Sequence, residues 1–511
     1  MASFLTRDNL AELDGRSFDA AVIGGGINGS AVVKTLAAAG YNVLLVERND
    51  FGSESTSRSS RMFHCGLNYL AIAKDARTLG EKLSNVLLAR NMMRERERLS
   101  QELPGRLKPV TLHIPLREAD AVKPWQFDFA FAMLKGMGGY SVPLNYRRTS
   151  KQSLISHPLA PYLGNDLVGI ASYSELVFDW PERVCVEYAL EAAGYGATVL
   201  NYVTLTGAEA CEGGWRLTLV DSLTGKSRPQ VIARVVVNMA GPWSNGVNRL
   251  ADADAGPTVT PNKGCHFAVR LPPAFRDVGI VSRNTIGHMF ICLPWKDFHI
   301  IGPSETAIDG ASDQVEAGDE DIDRLLREAG AVIPGASITR KDVLFRWAGM
   351  RPATFEPGNP LGGWKRRIYV DQRKGRSLWL SMSWGRLADH AITSRDVLAC
   401  VADRLGVPSR ATVKAGTPGA SIPKGVDLDH IVRCEAPASV ADVMFGRTGW
   451  GWAIDLGLST LPDVAAALAR HYPSKDANAF SAEYEHYLSR AFGRAWTNAK
   501  MEQTLTEKDL L

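Results

Sequence analysis

The feature that most constrains this chain is a glycine-rich turn near its N-terminus. Gly24, Gly26 and Gly29 have the spacing G-x-G-x-x-G, between an apolar strand (residues 20–23) and a helix-compatible segment (residues 30–39). In this pattern the first glycine permits a tight turn, the second lets the backbone approach a pyrophosphate, and the third lets helix and strand pack closely. The pyrophosphate then lies at the positive end of the helix. The turn therefore predicts a dinucleotide-binding unit.

A second apolar strand follows and ends at Glu47, 18 positions after Gly29. A carboxylate at this strand end accepts hydrogen bonds from a ribose diol, and it repels the 2′-phosphate of NADP(H). Asn28 lies inside the glycine-rich turn and is a further candidate for contact with the cofactor. The motif therefore favours FAD or NAD(H) as the dinucleotide.

The composition excludes several classes of protein. The chain has 511 residues, 45% of them hydrophobic and 22% charged, which is ordinary for a globular protein of two or three domains. A net charge of +3 is too small to indicate a nucleic-acid partner. The seven cysteines are scattered and form no C-x-x-C pair, so that neither a metal site nor a disulfide framework is predicted.

No segment predicts membrane insertion or secretion. No run reaches the roughly 18 apolar residues of a membrane span. The first 16 residues carry acidic side chains and lack a long apolar core, unlike a secretory signal. We therefore expect a cytoplasmic protein. Peripheral attachment to the inner face of the membrane stays open, because it requires only an amphipathic patch.

A second anchor lies some 200 residues after the glycine-rich turn. A buried strand (residues 234–238) is followed by Ala240, Gly241 and Trp243. A small residue and a glycine at a strand end let the backbone pass close to a bound ligand. The distance between the two anchors indicates that a long insertion splits the nucleotide domain. Two-domain flavoproteins often have this layout, whereas NAD enzymes seldom do.

The rest of the chain predicts a second sheet and a helical end. Strand candidates for an antiparallel substrate domain lie at residues 265–271, 288–293, 298–301 and 338–344. A late strand (377–381) leads through the turn Trp384-Gly385-Arg386 into a helix (387–405), whose N-terminus can face the cofactor. Further helix candidates lie at residues 72–100, 125–134, 181–194, 462–470 and 482–492.

Eight segments carry a resemblance to a known family. They lie at residues 22–29, 55–70, 237–243, 262–266, 293–295, 300–302, 349–352 and 384–387. In order and spacing they resemble the FAD-dependent glycerol-3-phosphate dehydrogenases, within the broader class of D-amino-acid-oxidase-like flavoproteins. The resemblance covers about residues 18–400 and, more weakly, the C-terminal helices.

The resemblance implies FAD as the cofactor and assigns residues to it and to the substrate. Cofactor-binding candidates are Gly24, Gly26, Asn28, Gly29, Glu47, Ser57, Ser59, Ser60, Arg61, Ala240, Gly241, Trp243, Gly385, Arg386 and Leu387. Substrate-binding candidates are Asn68, Tyr69, Arg351 and Arg386. Catalytic candidates are His64, His266 and Arg351.

The predicted fold class is α/β: a Rossmann-type FAD-binding domain split by insertions, an antiparallel-sheet substrate domain and a small helical C-terminal domain. The oxidoreductase region spans residues 17–406, followed by a linker (407–424) and the helical domain (425–511). The FAD-binding parts are about residues 17–100, 165–250 and 345–406, and the substrate-domain parts about residues 101–164 and 251–344.

The chain departs from the family pattern around the substrate. The family's His-Gly-Gly-Leu-Arg-Tyr is His-Cys-Gly-Leu-Asn-Tyr here, so Asn68 stands where a cation is expected. The family's Gly-Gly-Lys is Trp384-Gly-Arg386, which adds bulk and replaces a point charge with a planar fork. The family's Gly-Thr-Thr-Asp turn is Gly-Pro-Ser-Glu at residues 302–305. We therefore expect intact flavin binding and an altered substrate pocket, for glycerol 3-phosphate, a related polyol phosphate or another hydroxy compound with an anionic end.

The implied reaction oxidises a secondary alcohol, with hydride passing to flavin N5 and the hydroxyl proton to a base. Histidine suits the base because its pKa lies near neutral pH, and His64 and His266 are both candidates, although either can instead be a packed histidine. Arg351, fixed by the proline after it, predicts a bidentate clamp on an anion or a stabiliser of the developing alkoxide. Arg386 is predicted to contact either the substrate or the flavin.

Three functions are compatible with these features. The first is an FAD-dependent dehydrogenase of a polyol phosphate that passes electrons to a quinone at the membrane surface. The second is an FAD-dependent oxidase of a hydroxy acid or amine that uses oxygen. The third is a flavin-binding protein without turnover, against which the histidines and arginines argue. A homodimer is a possible assembly, and the expected partners are a small anionic substrate and a quinone, without nucleic acid.

Overall fold

The glycine-rich turn folds into a parallel strand–helix–strand unit. β1 (Ser17–Ile23) leads into α1 (Ile27–Ala38), and β2 (Val43–Glu47) pairs with β1 in parallel. Both strands are apolar in their buried stretches, residues 20–23 and 43–46, because other elements cover the sheet on both faces. The helix α1 is buried over most of its surface for the same reason, since it packs between the sheet and two further helices.

The computed structural model describes residues 10–67, 79–226, 228–283, 289–371, 377–408 and 426–493. The remaining strands there are β3 (Leu107–Arg117), β4 (Arg147–Ser150), β5 (Leu167–Phe178), β6 (Thr198–Asn201), β7 (Val203–Cys211), β8 (Gly214–Asp221), β9 (Gln230–Asn238), β10 (Val259–Val269), β11 (Val278–Arg283), β12 (Met289–Trp295), β13 (Phe298–Gly302), β14 (Thr306–Ala307), β15 (Val343–Thr354), β16 (Arg367–Asp371) and β17 (Leu378–Ser383). The remaining α-helices there are α2 (Leu79–Glu102), α3 (Pro124–Gly136), α4 (Ala160–Leu163), α5 (Pro181–Gly194), α6 (Ser244–Ala251), α7 (Asp319–Val332), α8 (His390–Leu405), α9 (Leu428–Glu435), α10 (Leu461–His471) and α11 (Ala477–Phe492).

The first sheet has the Rossmann-type arrangement that the sequence predicts. Its strand order is β16–β17–β9–β1–β2–β6, with the β7–β8 hairpin attached to β9, and the pairs from β17 to β6 are parallel. Helices α1, α5 and α8 cover one face, and the hairpin and α6 cover the other. The carboxyl ends of β1, β2 and β9 therefore meet at one edge, where ligands bind in folds of this kind.

The second sheet is antiparallel, as the sequence predicts, except at one pair of strands. Its strand order is β14–β10–β13–β12–β11–β3–β5–β4, with β15 on the other side of β10. The pair β11–β3 is parallel, with Val278 opposite Thr111. Hairpins force antiparallel pairing only between strands that are close in sequence. These two strands come from separate insertions, so no hairpin sets their relative direction.

Two long strands of the second sheet lie in segments that the sequence prediction assigns to the FAD-binding parts. β5 lies within the predicted FAD-binding part 165–250, yet it pairs with β3 in the second sheet from Leu167 to Phe178. β15 lies mostly within the predicted part 345–406, yet it pairs with β10 over nearly its whole length. Phe178 at the end of β5 is nevertheless buried in the core of the first sheet. One strand thus serves both domains, which hydrophobic patterning alone does not show.

Most predicted elements agree with the structure to within a few residues. The strand predicted at 338–344 is the main exception, because residues 340–342 form a 3₁₀ turn and β15 begins only at Val343. The helix predicted at 387–405 begins with a 3₁₀ turn before α8. Residues 409–425, which contain most of the predicted linker, lie outside the described residues.

The C-terminal helices pack against both domains. Trp452 and Phe492 share a core with Phe345 of β15. A π-helix (Asp442–Thr448) places Arg447 beside Asp50, which follows β2, and Arg447 Nη2 donates to Asp50 Oδ1 at 2.8 Å with both side chains buried. The helical region is therefore built into the wall of the nucleotide domain. Within the described residues, no helix has the length and apolarity needed to traverse a bilayer.

Candidate active site

A cavity of about 760 Å³ lies where the two sheets meet. Its walls come from the glycine-rich turn, residues 52–64, residues 239–250, the strands β10 and β15, and the turn after β17. Asn68 and Tyr69 lie outside the described residues.

The three glycines of the turn are required for three different reasons. Gly24 has a φ of +105°, and a Cβ there would lie 2.6 Å from the carbonyl oxygen of Met239. A Cβ at Gly29 would lie 1.8 Å from the carbonyl oxygen of Gly24, so only glycine lets the helix pack there. A Cβ at Gly26 would meet only Thr56 Oγ1, at 3.4 Å. The protein itself therefore tolerates a side chain at Gly26, and the space above it is left for a ligand.

Asn28 connects the turn to the late segment of the chain. Its Nδ2 donates to the carbonyl oxygen of Gly385 at 3.0 Å, and a Cβ at Gly385 would collide with the Asn28 amide. Its Oδ1 is buried and has no hydrogen-bond partner among the described residues. A buried acceptor without a partner is costly, so this atom indicates a donor that a ligand supplies. Gly385 and Leu387 line the same part of the cavity.

Glu47 is held by the backbone at the end of β2. Its Oε2 accepts from the Gly25 N–H at 2.7 Å and its Oε1 accepts from the Asn49 N–H at 2.8 Å. Burial raises the pKa of Glu47, and these two hydrogen bonds oppose that shift. Each carboxylate oxygen keeps a second lone pair, so the predicted ribose contact remains geometrically available.

The Ser-rich segment divides into residues on the cavity and residues behind it. Ser59 and Ser60 line the cavity, whereas Ser57 is buried behind the wall. Arg61 also lines it, but its guanidinium pairs with Glu182 at 2.8 Å and lies 4.0 Å from the centre of the Trp295 ring. The guanidinium also lies 4.6 Å from the centre of the Trp452 ring. Because Glu182 neutralises the charge of Arg61 and two indole rings enclose it, we infer that Arg61 stabilises the cavity wall and does not bind a ligand through its charge.

Arg58 is a cavity residue that the sequence did not reveal. Its Nη2 donates to Tyr487 Oη at 2.6 Å, and its guanidinium lies 5.1 Å from the Phe492 ring, both on α11. Its Nη1 is buried without a hydrogen-bond partner among the described residues. The Ser-rich run contained this arginine, but no local signal could link it to a tyrosine 429 positions away.

The segment after β9 forms another wall. Ala240, Gly241 and Trp243 line the cavity. The Arg48 guanidinium stacks 4.4 Å from the centre of the Trp243 ring and pairs with Asp313 of the second domain. Arg48 directly follows Glu47, so its position was visible in the sequence, but its ion-pair partner was not.

The two candidate histidines both line the cavity as neutral imidazoles. His266 is 3% exposed and stacks on Trp347 with ring centres 5.4 Å apart, and neither ring nitrogen has a hydrogen-bond partner among the described residues. Burial lowers the pKa of His266 to about 3, with further lowering by the charges of Arg351 and Arg61. His64 has a φ of +68°, and burial, followed by the charge of Arg386, lowers its pKa to about 4.

Arg351 presents a positive charge to the cavity. Its Nη1 donates to Asn262 Oδ1 at 3.0 Å and its Nη2 to the carbonyl oxygen of Ser304 at 3.0 Å, so both acceptors are neutral. The guanidinium lies across Gly264, where a Cβ would be 2.2 Å from Nη2. Burial lowers the pKa of Arg351, and the charge of Glu305 opposes that shift.

Arg386 differs from Arg351 in its charge balance. Its Nε and Nη2 donate to the two carboxylate oxygens of Asp389 at 2.9 and 2.8 Å. This bidentate pair fixes Arg386 at the start of the 3₁₀ turn before α8, while the residue still lines the cavity. Because Asp389 balances its charge, Arg386 is expected to attract an anionic substrate less strongly than Arg351 does.

The comparison with known proteins identifies the family. Residues 19–389 match the model of the FAD dependent oxidoreductase family, which is more than half of the chain. The chain belongs to this family. FAD is therefore its cofactor, and the fold and the motif resemblance agree with that assignment.

Relatives of the oxidoreductase include enzymes named for glycerol phosphate. The chain is 29% identical over 428 residues to the glycerol-3-phosphate dehydrogenase of Synechocystis sp., covering 81% of this chain and 75% of the relative. It is 29% identical to the alpha-glycerophosphate oxidase of Enterococcus casseliflavus, covering 68% of this chain and 56% of the oxidase. It spans about half of the mitochondrial glycerol-3-phosphate dehydrogenases, 48% in the case of Rattus norvegicus.

A solved structure supports the fold along almost the whole oxidoreductase chain. The glycerol-3-phosphate dehydrogenase of Bacillus halodurans, complexed with FAD, superimposes with a TM-score of 0.71 at 22% sequence identity. The match covers 96% of this chain and 98% of that one. The resemblance that the sequence motifs indicate is thus confirmed at the level of family and fold.

The cavity of this oxidoreductase fits FAD on three observations. The space above Gly26 is free of protein atoms that a Cβ would strike, the buried Asn28 Oδ1 awaits a donor, and the N-terminus of α1 faces the cavity. The glycine-rich turn, Glu47, residues 240–243 and residues 385–387 would hold the cofactor. The individual contacts remain predictions.

We predict that buried neutral histidines make the FAD dependent oxidoreductase less stable in acid. An unfolded histidine has a pKa of about 6.5, whereas the folded pKa of His266 is about 3. Below pH 6.5 the unfolded chain binds more protons, so stability is complete above that pH and is lost as pH falls towards the folded pKa, by about 1.4 kcal/mol per pH unit for each such group.

The measurement is urea unfolding of the FAD-loaded protein at several pH values, followed by tryptophan fluorescence. His266→Phe keeps a ring on Trp347 and should reduce the slope between pH 6 and pH 5 by about 1.4 kcal/mol per unit. His486→Phe, on the exposed surface of α11, is the control and should change the slope least. A His266→Phe slope equal to that of the parent would show that this imidazole titrates alike in both states.

Proposed function

We propose that this chain oxidises the secondary alcohol of glycerol 3-phosphate or a related polyol phosphate and passes the electrons to a quinone. The observation that carries the proposal is that, among the described residues, Arg351 donates hydrogen bonds only to neutral acceptors and faces the same cavity as His266, whose ring nitrogens have no partner there. An anionic substrate would form an ion pair with Arg351, which has none among the described residues, and would offer the imidazole of His266 a hydrogen-bond partner. The names of two relatives, a dehydrogenase and an oxidase of glycerol phosphate, support this substrate class.

The proposed chemistry divides between the cofactor and the side chains. FAD, when bound, accepts the hydride from the carbinol carbon. Arg351 binds the anionic group and orients the substrate. A neutral histidine takes the hydroxyl proton; His266 and His64 are both candidates, and neither ring nitrogen of His266 has a hydrogen-bond partner among the described residues. Substrate binding would offset the charge of Arg351 that lowers the pKa of His266, so the imidazole becomes a stronger base in the complex.

Exposed apolar side chains support a membrane-borne acceptor. Trp125 and Phe129, one helical turn apart on α3, are 65% and 62% exposed, and Leu83 and Leu87 on α2 are 59% and 47% exposed. Lys123 stands just before α3 and Lys135 in its last turn. Apolar residues with flanking lysines are typical of surfaces that bind a bilayer carrying anionic lipids. A quinone dissolved in that bilayer would then be within reach of the enzyme, at the cytoplasmic face of the membrane.

The test is reduction of the bound flavin without oxygen. Glycerol 3-phosphate and other polyol phosphates, hydroxy acids and amines are mixed anaerobically with the holoprotein, and the loss of flavin absorbance is recorded. We expect bleaching by polyol phosphates only. Bleaching only by hydroxy acids or amines would favour the second function, and no bleaching by any compound would favour the non-catalytic one.

The acceptor is tested with the reduced protein. Re-oxidation by a quinone in anionic vesicles should be at least about tenfold faster than by oxygen. Trp125→Ser with Phe129→Ser should lower vesicle binding and quinone reduction at least about tenfold, since each buried aromatic contributes about 1.5–3 kcal/mol, and should spare reduction of a soluble dye. Stoichiometric release of peroxide in place of quinone reduction would identify an oxidase.

A further inference from the structure

Trp384 occupies a backbone position that suits glycine. Its φ is +51°, in the left-handed region where a bulky side chain is strained. The residue nevertheless carries the largest side chain available, and it lines the cavity one position before the turn that meets Asn28. Because glycine would relieve the strain, a tryptophan at this position indicates that the indole side chain is functional.

Trp384 stacks on a second tryptophan from a different loop. The rings of Trp364 and Trp384, the tryptophan pair below, have centres 5.6 Å apart and planes inclined by 11°. Trp364 also lines the cavity and is 46% exposed, so one side of the pair remains uncovered at the rim. An uncovered indole face gains free energy when an apolar or C–H surface covers it.

The tryptophan pair is fastened to the residues that hold Arg351. The backbone N–H of Trp384 donates to the carbonyl oxygen of Pro352 at 2.7 Å, and Pro352 follows Arg351 in β15. Asn262, buried in β10, accepts from Arg351 through Oδ1 and donates through Nδ2 to the carbonyl oxygen of Leu361 at 2.7 Å. Gly363, beside Trp364, is paired with Thr354 by two backbone hydrogen bonds. These hydrogen bonds therefore fix the position of the tryptophan pair relative to the Arg351 guanidinium.

We propose that the tryptophan pair binds the carbon chain of a polyol phosphate longer than glycerol 3-phosphate, while Arg351 binds its phosphate. The proposal rests on the function proposed above and narrows its substrate class. The C–H groups of an extended polyol cover an indole face, whereas a three-carbon substrate is too short to reach far beyond the anion and the reacting carbon. The side chain of Trp384 then forms a binding surface for the substrate and does not block the cavity.

The test compares glycerol 3-phosphate with ribitol 5-phosphate and sorbitol 6-phosphate as anaerobic reductants of the holoprotein. The parent should show a kcat/KM at least about tenfold higher for a longer substrate, a factor that a few apolar contacts supply. Trp384→Gly relieves the backbone and should retain FAD, yet it should abolish that preference by lowering kcat/KM for the longer compounds at least about tenfold more than for glycerol 3-phosphate. Trp364→Ala should act likewise, and Trp384→Phe should keep most of the preference.

Binding without turnover gives an independent readout. Sorbitol 6-phosphate should quench the tryptophan fluorescence of the already reduced parent but not of reduced Trp384→Gly. The proposal is overturned if the parent has no preference for the longer compounds, or if Trp384→Gly raises their kcat/KM, since the indole would then exclude them. If glycerol 3-phosphate bleaches the flavin and the longer compounds do not, only this inference fails. If no polyol phosphate bleaches it, the proposed function fails as well.

Discussion

The Gly26→Val protein is expected to purify as a folded but colourless chain. The new side chain would enter the space above the glycine-rich turn, where the protein itself offers only Thr56 Oγ1 at 3.4 Å. Overpacking against a bound pyrophosphate costs about 1–3 kcal/mol, which corresponds to about one or two powers of ten in affinity. FAD should therefore be lost during purification, while the fold survives.

The measurement is the ratio of flavin to protein absorbance together with a circular-dichroism melt in excess FAD. The melting temperature of Gly26→Val should rise only at FAD concentrations about 10- to 100-fold higher than the parent requires, because stabilisation by a ligand follows its affinity. Gly29→Ala is the contrasting variant, since its Cβ would lie 1.8 Å from a carbonyl oxygen and should prevent correct folding. Gly194→Ala, where a Cβ meets nothing within 4 Å, is the matched control. A yellow Gly26→Val protein would contradict the position given to the cofactor.

The second large effect is expected for Arg351→Ala. Removing a buried guanidinium that binds an anion costs about 2–5 kcal/mol, so kcat/KM for a polyol phosphate should fall by about 1.5 to 3.7 powers of ten. Arg351→Lys restores the charge but not the planar fork, and should recover only part of the loss. FAD content should be unchanged in both variants, because the glycine-rich turn is untouched.

The kinetic measurement is single-turnover flavin reduction over a range of substrate concentrations and pH values. Arg351 lowers the pKa of His266, so in Arg351→Ala the pKa of His266 should be higher and the acid limb of the pH profile should move to higher pH. Arg404→Ala, on the exposed end of α8, serves as the control. Unchanged kinetics in Arg351→Ala would remove this residue from the substrate site.

The local parts of this molecule could be predicted from sequence because local spacing determines them. The glycine-rich turn, Glu47 and the strand end before Ala240 each depend on a few neighbouring residues, and the structure brings all of them to one cavity. His266 and Arg351 were proposed from the family resemblance of their motifs, and both line the same cavity.

The remaining parts depend on contacts between distant positions. Arg61 was predicted beside FAD, but its pairing with Glu182 and enclosure by Trp452 involve residues 121 and more positions away. Arg58 was missed because local sequence patterns do not show that Tyr487, 429 positions away, holds its guanidinium. The sheet boundaries inside β5 and β15 were missed because one apolar strand looks the same whichever sheet receives it.

The buried ion pair between Asp50 and Arg447 limits how this chain can be engineered. A carboxylate buried beside the nucleotide cleft tolerates loss of its guanidinium poorly, at a cost of about 3–5 kcal/mol. The C-terminal helices are consequently not an appendage that can be trimmed, swapped or fused elsewhere at will. Any transplant of the oxidoreductase core into another protein would have to bring the last helices with it, or redesign Asp50 at the same time.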